Sequence, residues 1–176
     1  MCIRDSLEYG GNNRISENII VDSCCLDYLR PDTLIPVALA WHKVIVPRGG
    51  EFQISLEDGT RVWLNSESTL KYPEVFTGTT REVFLEGEAY FEVAKDKDKP
   101  FIVKTKEQSI EALGTKFNVS AYPTDSLLTT TLLEGSVLLT TQNLLHPTVL
   151  KPNEQFVYNK RTRSALLQQV DANRFV

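Results

Sequence analysis

The 176-residue sequence has few of the residues from which cross-linked or reactive centres are built. It contains three cysteines, two histidines and one methionine. The cysteines, at Cys2, Cys24 and Cys25, are odd in number and include an adjacent pair, which does not suit a disulfide framework. No cysteine or histidine pair has zinc-ligand spacing, and His42 and His146 lie far apart. We therefore expect neither a metal ion nor a cofactor.

Long hydrophobic runs and a basic stripe are also missing. The longest apolar run, Leu34 to Val46, is broken by Pro36, His42 and Lys43. It is too short for a transmembrane helix, which needs about 20 apolar residues. The start of the chain lacks the apolar core of a signal peptide, so we expect this sequence to be soluble. A net charge of −4 without a basic stripe argues against nucleic-acid binding.

What the sequence does have is strict alternation, which is clearest between Arg81 and Val103. The apolar positions around Gly87 include Ala89 and Phe91, and the residues between them are polar or aromatic. A period of two is typical of a half-buried β-strand, and we interpret this stretch as strands joined by a tight connection at Gly87. The same pattern recurs along the chain, without a sustained helical period. It predicts an all-β fold with little helix.

A short sequence motif, the glycine motif, recurs within this pattern: a leucine, a nearby glycine and then alternating apolar positions. We expect its glycines, and an asparagine in a fifth copy, to be structural turn residues: Gly59, Gly87, Gly114, Gly135 and Asn153. Recurrence at roughly 20–30 residues is typical of coils stacked on one another. The recurrence of the glycine motif predicts a twisted β-solenoid-like or β-helix-like domain of short stacked strands. The alternative is a β-sandwich with glycine-marked corners.

Carboxylates are the strongest catalytic candidates, because paired carboxylates can hydrolyse glycosides. Glu86, Glu88 and Glu92 lie close together, but strand alternation turns Glu88 and Glu92 onto a solvated face. The sequence contains no nucleophile elbow, phosphate-binding loop or dinucleotide fingerprint. We therefore predict no catalytic residue and no enzyme. An enzymatic alternative requires a cleft in which carboxylates such as Glu86 and Glu134 converge.

Outward-facing aromatic residues are the best candidates for a binding site. Trp63 and Tyr90, beside Arg61 and Arg81, suit a protein–protein contact, where these residue types carry most of the binding energy. Exposed rings also suit a sugar platform, which makes a carbohydrate-binding β module the alternative function. The rings that would form this sugar platform are Trp63, Tyr72, Tyr90 and Tyr122.

Four segments, taken in order, resemble the FecR family, which comprises the extracytoplasmic regions of anti-sigma factors, in the form common in Bacteroidetes. The segments are VPRGGEFQISLEDGTRVWLNSESTLKYP, REVFLEGEAYFEVAKDKDKPFIVKT, LGTKFNVSAYP and LLEGSV. The resemblance implies a FecR-like periplasmic β domain over residues 41–170. Residues 1–40 are then a poorly defined N-terminal extension, and residues 171–176 begin a truncated C-terminal signalling domain.

The resemblance also implies a function in transcription regulation. Such regulators cross the inner membrane once, and their cytosolic helices bind an extracytoplasmic-function sigma factor. Their periplasmic part receives a signal from the signalling domain of a TonB-dependent outer-membrane transporter loaded with a ligand such as an iron chelate or a glycan. This sequence matches neither the cytosolic helices nor the membrane helix, so we expect sigma-factor binding to need a region outside it. The family's β-solenoid-like core agrees with the repeat interpretation.

Overall fold

The computed structural model describes residues 40–142 and 144–175, together with the backbone of residues 19–22 and 25–28. Cys2, Cys24 and residues 34–39 of the longest apolar run lie outside the described residues. The strands in chain order are β1 (Ile19–Asp22), β2 (Cys25–Tyr28), β3 (Trp41–Ile45), β4 (Phe52–Ser55), β5 (Arg61–Leu64), β6 (Thr69–Pro73), β7 (Arg81–Glu92), β8 (Phe101–Lys104), β9 (Gln108–Ala112), β10 (Lys116–Ala121), β11 (Leu127–Glu134), β12 (Val137–Thr141), β13 (Thr148–Leu150), β14 (Glu154–Asn159) and β15 (Ser164–Gln169). A short 3₁₀ helix follows at Ala172–Phe175.

The strands from β3 onwards are connected into one 13-stranded sheet, whereas β1 and β2 pair only with each other among the described strands. The sheet has two parts that meet in β7. The first half-sheet contains β3, β6, residues 81–86 of β7, β8, β9, β12 and β13. The second half-sheet contains β4, β5, residues 87–92 of β7, β10, β11, β14 and β15.

The sheet curls so that its two halves face each other across a single core. Phe91 in the second half-sheet and Phe101 in the first are both fully buried, with ring centroids 6.2 Å apart. Along β7, Val83, Leu85 and Ala89 are buried and alternate with outward positions, which confirms the predicted period of two. Burial of each large apolar side chain stabilises the fold by about 1.5–3 kcal/mol.

Gly87 does not form the tight connection that the sequence suggested, because β7 is one continuous strand of 12 residues. Leu85 pairs with Leu70 of the first half-sheet, and Ala89 pairs with Leu64 of the second. Gly87 lies between these pairs with φ of 95°. It is therefore the bend at which a single strand passes from one half-sheet to the other.

The other glycines of the glycine motif, and the asparagine of its fifth copy, mark two different kinds of turn. Gly114, Gly135 and Asn153 have φ of 122°, 91° and 65°, and each lies where the chain crosses between the half-sheets. Gly59, with φ of 82°, instead turns the β4–β5 hairpin within the second half-sheet. At the crossing from β5 to β6 the residue with positive φ is Glu67, with φ of 58°. Glu67 is not part of the glycine motif, so the motif did not predict this corner.

The all-β prediction is confirmed, since strands dominate the described part of the chain. Short strands with left-handed corners are common to a solenoid-like coil and to a sandwich, so the choice between them stays a prediction. No helix among the described residues is long and apolar enough to cross a membrane.

Candidate interaction surfaces

Three of the four predicted contact residues lie together on the outer face of the second half-sheet. Strand pairing places Trp63 opposite Tyr90 and Arg61 opposite Glu92. The two rings are 5.4 Å apart between centroids, tilted by 47°. The Arg61 guanidinium carbon lies 5.4 Å from the Trp63 ring centroid, and Arg61 also forms an ion pair with Glu92. We call Arg61, Trp63, Tyr90 and Glu92 the Trp63 surface.

The Trp63 surface is held in place by a network of charges. Lys116 Nζ on β10 lies 3.9 Å from Glu92 and 3.4 Å from Glu134. The Tyr90 hydroxyl donates to Glu92 Oε1 at 3.4 Å. Burial raises the pKa of Tyr90 to about 12, and the neighbouring Glu92 carboxylate adds to the effect. The phenol is therefore a neutral hydrogen-bond donor at any physiological pH, and the surface presents aromatic and charged groups in a defined arrangement.

The prediction that Arg81 is an exposed partner contact is wrong. Its side chain is 2% exposed, and its guanidinium lies over the Phe101 ring at 5.4 Å. Nη1 donates to Asp58 Oδ2 at 2.6 Å and to the Ala94 carbonyl at 3.0 Å, while Nε donates to the Lys99 carbonyl at 2.8 Å. Arg81 lies at an inward position of β7, in register with the buried residues of that strand. The alternation of the strand by itself therefore predicts that Arg81 is buried. It is a structural anchor.

A second cluster of aromatic and lysine side chains, which the sequence did not predict, lies on the outer face of the first half-sheet. Trp41 on β3 and Phe84 on β7 are 43% and 39% exposed, and their ring centroids are 5.7 Å apart. Lys71 Nζ lies 5.2 Å from the Trp41 ring, and Lys104 Nζ lies 5.9 Å from the Phe84 ring. We call these four residues, with the exposed Lys43, the Trp41 surface. Phe84 alternates with buried neighbours in β7, a signal that could have identified it.

The four rings considered as a sugar platform are not brought together. Tyr72 is 2% exposed and belongs to the core. The Tyr122 hydroxyl donates a hydrogen bond of 2.9 Å to the Ser66 carbonyl. A single stacking platform made of all four rings therefore does not exist.

The candidate carboxylates are likewise separated. The bend at Gly87 leaves Glu86 exposed on the first half-sheet and Glu88 on the second. Glu88 accepts a hydrogen bond of 2.8 Å from Asn118 Nδ2. Glu134, also on the second half-sheet, is paired with lysine and does not converge with Glu86. Across the described ranges, no group of three or more histidine, cysteine, aspartate or glutamate side chains could hold a metal ion.

These features define an all-β module that displays aromatic rings, cations and carboxylates on a curled sheet. The model of the family described as FecR protein matches residues 42–138, more than half of the chain. The chain therefore belongs to the FecR family, a regulatory family rather than an enzymatic one.

Two crystal structures from Parabacteroides distasonis, each of a proposed anti-sigma factor, are similar to this chain. One is 36% identical, with a TM-score of 0.74, over 76% of this chain and 62% of its own. The other is 37% identical, with a TM-score of 0.72, over 74% of this chain and 61% of its own. The chain thus spans about three-fifths of the length of these relatives. A comparison with curated proteins finds no match.

Proposed function

We propose that this chain is the periplasmic signalling module of a FecR-like, single-pass inner-membrane anti-sigma regulator. In this proposal it relays the occupancy of a TonB-dependent outer-membrane transporter to an extracytoplasmic-function sigma factor. The sigma factor is bound by a cytosolic region of the whole regulator, and the periplasmic module binds the signalling domain of the transporter.

The observation that carries the proposal is the FecR family match, which covers most of the curled sheet. Support comes from the two similar crystal structures, both of proposed anti-sigma factors. The displayed chemistry is compatible with a relay, because aromatic and arginine side chains on a rigid sheet favour protein contacts.

We assign the transporter contact to the Trp63 surface. Trp63 and Tyr90 are both partly exposed, and Arg61 is exposed beside them. The Arg61 guanidinium is already oriented by its ion pair with Glu92, so less side-chain entropy is lost when a partner binds. Arg81 is excluded from this contact by its burial.

Calorimetric titration of the complete periplasmic region with the signalling domain of its cognate transporter tests this function. The surface variant carries Arg61→Ala and Trp63→Ala. The control carries Arg161→Ala and Leu145→Ala, which remove an exposed cation and an exposed apolar side chain elsewhere. We expect the surface variant to bind at least about tenfold more weakly, in line with loss of a central contact, and the control to bind normally.

The possible failures have separate meanings. If the unmodified periplasmic region does not bind the signalling domain, the proposed relay is wrong. If it binds but the Arg61→Ala, Trp63→Ala variant retains full affinity, the contact lies elsewhere and only the assignment to the Trp63 surface is wrong.

A further inference from the structure

We infer that the Trp41 surface is a second docking site, which takes an acidic protein segment carrying an apolar side chain. It lies on the outer face of the first half-sheet, whereas the Trp63 surface lies on the outer face of the second. The inference is therefore independent of the transporter contact proposed above.

Strand register aligns the key side chains in one row. Lys43 pairs with Lys71, Lys71 pairs with Phe84, and Phe84 pairs with Lys104. Neighbouring strands are about 4.8 Å apart, so the row spans roughly 14 Å across four strands. Trp41 lies on the same face and contacts Phe84. The row is long enough to meet several residues of a partner in an extended conformation.

The centre of the row supplies an apolar anchor. Trp41 and Phe84 keep 43% and 39% of their surfaces exposed although they lie on regular strands and contact each other. Covering apolar surface stabilises a complex by about 25 cal/mol per Å² before the costs of association are subtracted. Two adjacent exposed rings therefore favour a partner that places an apolar side chain against them.

The ends of the row select for negative charge. Lys104 Nζ is paired with Glu82 at 2.8 Å. Lys43 and Lys71, by contrast, have no carboxylate within ion-pair distance in the described part of the chain. Two further acidic groups lie on this face: Glu86, one outward position along β7 from Phe84, and Glu111, one outward position along β9 from the partner of Lys104. Two cations beside an apolar pair are complementary to carboxylates that flank an apolar residue.

The shape of the site favours a protein segment over other anions. The surface is an open sheet face, so a small anion would gain few contacts and would compete with water for exposed ammonium groups. A nucleic acid would meet a chain with a net charge of −4 and acidic neighbours on both sides of the row. A partner segment with acidic residues two positions before and two positions after an apolar residue satisfies both the cations and the rings, because alternate side chains of an extended segment share one face.

The probe for this test is the blocked pentapeptide Glu-Ser-Phe-Ser-Glu, titrated into the full chain and followed by backbone amide NMR. Its glutamine analogue and a single-stranded DNA oligonucleotide are the comparison ligands. We expect shifts concentrated in the strands of the row, an affinity that falls as salt is raised, and at least tenfold weaker binding of the analogue. Equal binding of the glutamine analogue, tighter binding of the DNA, or shifts centred on the Trp63 surface would each overturn the inference.

Matched variants locate the binding. Lys43→Glu with Lys71→Glu reverses the two unpaired cations, and Lys97→Glu with Lys151→Glu makes the same charge change on exposed loops. We expect at least tenfold loss for the first pair and, after allowance for net charge, little loss for the second. Lys43→Gln with Lys71→Gln removes the cations without introducing repulsion, and it replaces the glutamate pair if that variant fails to fold. Equal affinities of the row variant and the loop control contradict the docking site.

Discussion

The backbone of Ser68 occupies the space into which a side chain at Gly87 would project. A Cβ atom at position 87 would lie 2.7 Å from Ser68 Cα and 2.5 Å from Ser68 Oγ. Ser68 Oγ also accepts a hydrogen bond of 2.8 Å from the backbone N–H of Glu88. The corner of the sheet is therefore closed by a hydroxyl that bonds to the strand at the point where the strand bends.

Replacement of Gly87 by alanine is expected to lower the free energy of unfolding by about 2–5 kcal/mol, because the left-handed backbone and the collision with Ser68 both add cost. Gly49 is the control, since its φ is 77° but a Cβ atom there would have no neighbour within 4 Å. Gly49→Ala carries only the backbone cost of about 1–2 kcal/mol. Urea denaturation of the two variants measures the difference, and equal losses would show that the Ser68 contact is not limiting.

Arg81→Leu is expected to destabilise the fold by about 3–5 kcal/mol, because it leaves the Asp58 carboxylate without its ion-pair partner at a largely buried position. Arg61→Leu breaks an exposed ion pair and is expected to cost about 0–1 kcal/mol. Chemical denaturation of both variants provides the comparison. A small effect at Arg81, similar to that at Arg61, would contradict its role as a structural anchor.

Tyr90 is expected to ionise at about pH 12 rather than at its ordinary value of 10.0. Since the folded-state pKa is the higher one, the resulting stability is complete below pH 10 and is lost as the pH rises toward 12. Ultraviolet absorbance titration, with Tyr90→Phe to assign the transition, measures this pKa. Glu92→Gln is expected to lower it only in part, because burial is the larger cause. An ordinary pKa for Tyr90 would refute the packed arrangement of the Trp63 surface.

His42 is expected to titrate below its ordinary value of 6.5, because burial opposes its charged form more than Glu74 favours it. With the folded-state pKa depressed, this contribution to stability is complete above pH 6.5 and is lost as the pH falls toward the folded-state value. NMR titration of the ring protons measures the pKa. Glu74→Gln is expected to lower it further, and a rise on that substitution would exclude the assigned electrostatic cause.

Local alternation was enough to predict most of the strands and the faces of their residues. Phe91 and Ala89 lie inward and Tyr90 lies outward as expected, because successive side chains of a strand leave opposite faces. The same rule places Arg81 inward and Phe84 outward. The charge of Arg81 alone would place it outward, but its guanidinium is buried because Nε and Nη1 donate hydrogen bonds to Asp58 and to backbone carbonyls.

Long-range pairing was beyond the reach of the sequence. Trp41 and Phe84 become neighbours only because β6 lies between β3 and β7, and Glu86 and Glu88 separate only because β7 changes half-sheets at Gly87. By itself, the sequence determined an all-β chain, most of its turn-forming residues and its family. The tertiary structure decided which turns are corners, which cation is buried and which rings share a face, because strand partners are chosen by packing between segments far apart in the chain.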